Sequence, residues 1–329
     1  MEGFFTLRCA FFQHPHAFKT KSADHFKKIL ENEGFIITAL GRDNFSSFNI
    51  NDFDFVVLYQ ADHLIESFED LEIPVIVVPM FDETLDRKAS FFRHRRNFQY
   101  ISFSKILHKF LTLNGNSSRY LQYWPEIDVL KNPKKEQVFF WERTPLHIDV
   151  EDVCHWFSKT NLKVMVRQHW DPNHLGSNKI AWSDRLVDVG SDWLDHSDFY
   201  KYLSESQVFI SPRRWEGIGV SALEAMTLGT AVVGLDSPTL NEYVEHGKTG
   251  ILIKNSNKNV VIGDYDWSLL GVQAQERAKF GLEKYKRESR KVLQNAIDQA
   301  LQMSFRERLS IIPKNLTVRK FVYLHDFQR

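Results

Sequence analysis

Two cysteines in 329 residues, Cys9 and Cys154, are too few and too far apart for a disulfide framework or a thiolate metal site. That scarcity points to a reducing cytoplasm. An excess of either charge is also missing. Lysine plus arginine and aspartate plus glutamate both number 42, so no global field invites a polyanion and nucleic acid is not an expected partner. No apolar run reaches the roughly 18 residues of a membrane-spanning helix. The N-terminal run from Phe4 to Phe12 is broken by Arg8 and has no basic region before it, so it is expected as a buried strand and not a signal peptide. Internal repeats and low-complexity tracts are absent. His14 with His16, His94, and His169 with His174 have no thiolate or carboxylate partners at ligand spacing, and no metal site is expected.

What is present is a chain long enough for two α/β domains of roughly 150 residues each. Its 27 phenylalanines fall largely in short strand-like runs, as core material. Thr6 to Gln13, Phe35 to Leu40, Phe53 to Tyr59 and Val75 to Val78 are expected strands. Ser22 to Asn32 is an expected helix, with Ser22 as its N-cap and Gly34 ending it. Strands spaced by helices imply a parallel sheet with ligands beyond the strands' carboxyl ends, here near His14, Gln60 to His63, and Pro79 to Asp82. A linker between Pro125 and Glu136, containing Asn132-Pro133-Lys134-Lys135, divides the chain into 1–130 and 131–329. The alternation then restarts at Val138 to Trp141, Leu162 to Val166, Leu186 to Val189 and Gln207 to Ile210, and polar, periodic closing helices follow from Asp264.

The stretch from Ser211 to Ile253 carries the chemistry. A strand ending at Ile210 leads into a loop with Gly217 and Gly219, then a short helix from Val220 to Leu228 with Gly229 as its C′ residue, then a strand from Thr230 to Leu235. A glycine loop opening onto a helix N-terminus suits a diphosphate, because free N–H groups and the positive end of the helix dipole face it. Glu216 and Glu224, with seven residues between them, bracket this loop. Glu224 would hold a ribose diol, Gly217, Ile218, Gly219 and Val220 the phosphates, and Glu216 the sugar hydroxyls. Spacing alone equally allows Glu216 as a dipole partner and Glu224 as a solvated helix residue.

Glu216-Gly217-Ile218-Gly219-Val220, Leu223-Glu224-Ala225-Met226 and Gly229-Thr230-Ala231-Val232-Val233, with the later Glu242 and the run Gly247 to Leu252, closely resemble the signature of glycosyltransferase family 4. The strong resemblance covers Leu203 to Ile253. Phe103-Ser104-Lys105 and Tyr123-Trp124-Pro125 resemble that family's approach to its interdomain linker. The resemblance implies a GT-B fold, two Rossmann-like domains with parallel sheets facing across a cleft, the acceptor side N-terminal and the donor side C-terminal. It implies a retaining, hexosyltransferase-type enzyme of surface-polysaccharide or lipooligosaccharide synthesis. Such an enzyme takes a nucleotide-diphosphate sugar as donor and a glycan or lipid-linked molecule as acceptor, with no metal or other cofactor.

The resemblance further implies an arginine and a downstream lysine on the diphosphate. Arg143 fits the arginine, but no lysine follows at the expected distance. Arg167 could replace it, and equally could be a strand-end salt-bridge residue. His63 stands where the family often has a histidine facing the transferred sugar. The basic run Arg87 to Arg96, interleaved with Phe91 and Phe92, reads either as a solvated helix face or as a peripheral contact with anionic lipid at the inner membrane face. A nucleotide-sugar epimerase on the same architecture and a catalytically silent sugar-nucleotide-binding subunit are the alternative functions.

Overall fold

The computed structural model describes residues 7–128, 132–144, 146–170, 183–192, 194–254, 260–263, 265–302 and 313–326. The chain forms two compact units, Met1–Gln122 with Tyr285–Arg329, and Tyr123–Lys284.

The first unit is built on strands β1 (Arg8–Gln13), β2 (Ile36–Leu40), β3 (Phe55–Tyr59), β4 (Val75–Val78), β5 (Phe98–Ser102) and β6 (Ser118–Tyr120), with helices α1 (Pro15–Thr20), α2 (Asp24–Asn32), α3 (Phe81–Thr84) and α4 (Lys105–Leu113). All strands are parallel, in the order β2-β1-β3-β4-β5-β6. Successive strand side chains point to opposite faces, and this is where the phenylalanines go. Phe11 packs against Phe26 and Tyr59, while its neighbour Phe12 packs against Phe45, Phe48 and Phe68.

Ser22 is not the N-cap of α2. Ala23 holds that position without a side-chain bond, and the Ser22 carbonyl accepts from the Tyr59 hydroxyl at 3.2 Å. The basic run from Arg87 is not a helix face either; it is a chain of turns. Phe92 lies in the core and Arg95 is buried. Arg93 and Arg95 both bind Glu69, and Arg87 pairs with Asp62 while lying over the Phe91 ring. These ion pairs match three of the run's cations to carboxylates of the same unit, with Arg95 alone of the three buried.

The second unit contains β7 (Lys135–Glu142), α5 (Val150–Trp156), β8 (Lys163–Gln168), β9 (Leu186–Asp188), α6 (His196–Glu205), β10 (Ser206–Ile210), α7 (Val220–Thr227), β11 (Ala231–Leu235), α8 (Leu240–Tyr243) and β12 (Gly250–Ile253). Its strands are again all parallel, in the order β12-β11-β10-β7-β8-β9. The chain runs outward from β7 through β8 to β9, then returns to β7's other side with β10. The strand order therefore reverses between β7 and β10, and in open parallel sheets ligands bind beyond the carboxyl ends of the strands at such a point.

Gly250, inside the signature run, is fixed by backbone proximity. A Cβ there would lie 2.1 Å from the Val232 carbonyl oxygen and 2.9 Å from Val244 Cγ1. Gly250→Ala is therefore expected to destabilise the protein by about 1–3 kcal/mol, the cost of overpacking. A thermal melt checks this, and an unchanged midpoint contradicts it.

The closing helices divide differently from the expected 131–329 domain. Helix α9 (Trp267–Leu301) starts in the second unit and continues past Tyr285 into the first, followed there by α10 (Val318–Asp326). Specific contacts hold this tail to the first unit. Tyr285 bonds His25, Phe321 packs edge-on against Phe110, and Arg319 pairs with Asp86.

Candidate active site at the second sheet's switch point

The strands β7, β8 and β10 lie side by side at this point of the second sheet. On the β7 side the register sets Trp141 beside Arg167 and Glu142 beside Gln168. The indole of Trp141 carries two guanidinium groups, Arg167 at 4.5 Å and Arg143 at 4.9 Å from the ring centroid. Arg167 is fully buried. It has no ion pair among the described residues, which departs from a strand-end salt bridge. It donates to the Asp192 carbonyl, and its Nε and Nη1 have no hydrogen-bond partner. Burial, and then the nearby Arg143 charge, pull its pKa down to about 10, so it remains a cation at neutral pH. Unmet donors on a buried cation are costly, and an anion drawn beside them relieves that cost.

Glu142 organises this loop. Its carboxylate accepts from Val150 N at 3.2 Å, Gln168 Nε2 at 2.7 Å and Trp170 Nε1 at 3.0 Å. Three donors fix the turn that presents Arg143.

On the β10 side, Gly219 adopts the left-handed conformation (φ 77°) and caps α7 without a side chain, a conformation that favours glycine. The first bonds to its carbonyl come from Ala222 and Leu223, so the N–H groups of Val220 and Ser221 stand at the helix start, where an acceptor is needed. Glu216 is held from two sides. Its carboxylate lies 3.7 Å from Arg213 Nη1, and its carbonyl accepts from Thr239 Oγ1 at 3.1 Å. Gly229, with φ 72°, ends α7 as expected.

Glu224 is not a solvated helix residue. It is 7% exposed and accepts a hydrogen bond from Tyr200 Oη at 3.0 Å. Burial pushes its carboxyl up to about 7, against the Tyr200 bond, which lowers it.

Two contacts join these groups. His147 Nδ1 accepts from the Arg214 N–H at 3.3 Å, and its ring packs edge-on against Trp215, tying the loop after β7 to the loop after β10. Phe199 lies against Trp141, and the next residue, Tyr200, binds Glu224. Arg143, Arg167, Glu216, Gly217, Ile218, Gly219, Val220 and Glu224 thus all belong to one end of one sheet. His63 belongs to the first unit, exposed on the turn after β3. His174 lies outside the described residues. Among the described residues no three His, Cys, Asp or Glu side chains gather as a metal site, and no helix is long and apolar enough to cross a membrane.

Sequence reasoning missed Tyr200, His147 and the stacking role of Trp141. The signals were faint: an aromatic residue on a polar helix, a histidine near the missing lysine, and a tryptophan ending an apolar strand.

Residues 191–287 match the family described as Glycosyl transferases group 1. A stretch of 77 residues is 35% identical to the lipopolysaccharide core biosynthesis mannosyltransferase LpsB of Rhizobium meliloti (strain 1021), covering 23% of this chain and 21% of that one. The curated relatives are thus matched over about a fifth of their length. Whole-chain likeness appears in solved structures. Sucrose-phosphate synthase from Thermosynechococcus elongatus superposes with a TM-score of 0.66 at 13% identity, over 89% of this chain and 99% of that one. HepE of Anabaena, in complex with UDP and glucose, gives 0.60 at 12% identity, over 88% and 100%. The fold is therefore GT-B, and residues 191–287 are similar to the group 1 glycosyl transferases.

Proposed function

We propose that this chain is a retaining glycosyltransferase that takes a nucleotide-diphosphate sugar and passes its sugar to a glycan or lipid-linked acceptor in surface-polysaccharide or lipooligosaccharide synthesis. One observation carries the reading. At the switch point of the second sheet, the unmet donors of Arg167 and the Arg143 charge stand at the same end of one sheet as an open helix start and two carboxylates. The group 1 similarity and the mannosyltransferase LpsB support it, and the HepE structure, with UDP and glucose bound, supports the donor class.

In this reading Glu224 accepts from the ribose diol, the N–H groups from Gly217 to Val220 hold the phosphates, and Arg143 with Arg167 neutralises the departing diphosphate. Glu216 orients the sugar hydroxyls. His63 is assigned to the transferred sugar on family resemblance alone. The bond from anomeric carbon to phosphate oxygen breaks while the acceptor oxygen bonds that carbon on the same face. The acceptor proton passes to the leaving phosphate. No metal and no covalent glycosyl-enzyme take part.

Transfer from a panel of nucleotide sugars, run in EDTA, tests the whole scheme. Activity is expected to persist, and proton NMR of the first product from an α-linked donor should find an α-linkage. A β-linked product overturns retention. Activity lost in EDTA and restored by magnesium or manganese overturns the metal-free step. Turnover of no donor overturns the enzyme reading.

A further inference from the structure

The ribose assignment leaves Tyr200 unexplained. It sits on α6, two elements before the helix that carries Glu224, yet its hydroxyl is the donor that engages Glu224 Oε1, at 3.0 Å. A second phenol, Tyr123, is buried nearby. Burial first, and then the Glu224 charge, raise the pKa of both phenols. These two tyrosines, from α6 and from the segment before β7, are the titratable groups facing the Glu224 carboxylate among the described residues.

A buried carboxylate served by phenols is an unusual choice for stability, because a lone buried acid is costly to ionise. It does suit recognition. An ionised carboxylate has about four acceptor positions on two oxygens. A donor fixed on Oε1 takes one of them and locks the side-chain torsion. The Oε2 atom is then held in one place for an incoming hydroxyl pair. With Tyr200 removed, the carboxylate can turn, and the diol meets an acceptor that must first be ordered.

We propose that Tyr200 is a positioning residue for nucleotide recognition: it holds Glu224 so that a ribose with both vicinal hydroxyls is selected over a 2′-deoxyribose. This rests on Glu224 as the ribose acceptor. The selected ligand class is a ribonucleoside diphosphate, whatever its base.

Calorimetry tests it with UDP, GDP, ADP and CDP. The tightest binder is carried forward beside its 2′-deoxy counterpart, using the full chain and the variants Tyr200→Phe and Glu224→Gln. The wild type is expected to prefer the ribo form roughly tenfold, the scale of one charge-assisted hydrogen bond. Tyr200→Phe should lower ribo affinity roughly tenfold and leave deoxy affinity within about twofold, collapsing the preference. The pH midpoint for ribo binding should also move upward in Tyr200→Phe, because the lost donor favoured the ionised form.

A Tyr200→Phe protein that keeps the wild-type preference overturns the proposal. So does one that loses both affinities by the same factor, which is the mark of a merely structural role. If the wild type does not distinguish the two sugars and Glu224→Gln binds as well as wild type, the ribose assignment itself fails, and the proposal with it. If Tyr200→Phe does not fold, the wild-type pH profile decides: a ribo preference unchanged from pH 8 to pH 5.5 overturns it, since the positioned group must be ionised.

Discussion

Arg143→Ala should cut turnover by about a hundredfold to a thousandfold, the usual loss when a donor to developing transition-state charge is removed. Donor affinity should fall far less. The reason lies in when the charge appears. In the bound nucleotide sugar the diphosphate bears its ordinary charge. As the glycosidic bond breaks, the oxygen bound to the sugar gains more, and only contacts that strengthen at that moment raise the rate. Arg143 is half-buried and shares the Trp141 indole with Arg167. Two guanidinium groups on one ring repel each other, and that repulsion helps lower the Arg167 pKa. An anion between them turns the repulsion into attraction, most strongly when its charge peaks. Single-turnover rates and calorimetric affinities for the same donor separate the effects. Equal losses in both would make Arg143 an ordinary binding residue. A larger rate loss in Arg167→Ala than in Arg143→Ala would transfer the role to the buried guanidinium. Arg143→Lys should recover only part of the rate, because a point charge lacks the planar stack.

The split between what the sequence disclosed and what it hid follows the range of the interactions. Gly219 and Gly229 were legible because each acts on its own backbone: both have positive φ, at the two ends of one short helix. Val75 to Val78 was legible because four consecutive β-branched residues bounded by Pro74 and Pro79 have few other uses. By contrast, Arg167 acquires its character from Trp141 across a strand pair, and no local pattern encodes register. The ambiguity between salt bridge and anion site disappears only when the partners of its nitrogens are known. Glu224 tells the same story. Its neighbours in sequence permit an exposed helix residue, while Tyr200, 24 positions earlier, makes it a buried acceptor. The run Arg87 to Arg96 misleads in the opposite direction. Its apparent surplus of charge is answered by Asp62 and Glu69, which precede it by about twenty residues. The return of residues 285–329 to the first unit is set by contacts such as Phe321 with Phe110, whose separation in sequence exceeds anything a periodicity can register.

One such long-range contact yields the second large effect: the first unit should lose on the order of 4 kcal/mol of stability as pH falls from 6.5 to 3, through His25 alone. The ring lies among Phe26, Tyr59, Phe103 and Tyr285. Its two nitrogens are each 3.0 Å from a tyrosine hydroxyl, Nδ1 from Tyr285 and Nε2 from Tyr59. Because Tyr59 donates onward to the Ser22 carbonyl, a single direction of donation satisfies the chain. Tyr285 donates to Nδ1, and Nε2–H donates to Tyr59. This arrangement suits the neutral ring, and burial lowers its pKa to about 3.

An unfolded histidine takes its proton near 6.5, so between 6.5 and 3 the unfolded state binds more protons than the folded one. The stabilisation is therefore complete above pH 6.5 and is lost as pH falls. Glu224 opposes this in the same window, since its raised pKa lets the folded second unit take up a proton first. Total stability therefore hides the effect, and the comparison must be between wild type and His25→Phe. At pH 7 the variant should be less stable by about 1–3 kcal/mol, the cost of leaving two hydroxyls without their ring partner. From pH 7 to pH 5 the gap should narrow by about 2 kcal/mol, because only the wild type pays for keeping the ring neutral. Urea unfolding at the two pH values measures it, with amide exchange in β1 and β3 reporting on the first unit. A gap that stays constant would mean that the ring takes its proton near 6.5 in the fold as well, so that its burial does not hold it neutral.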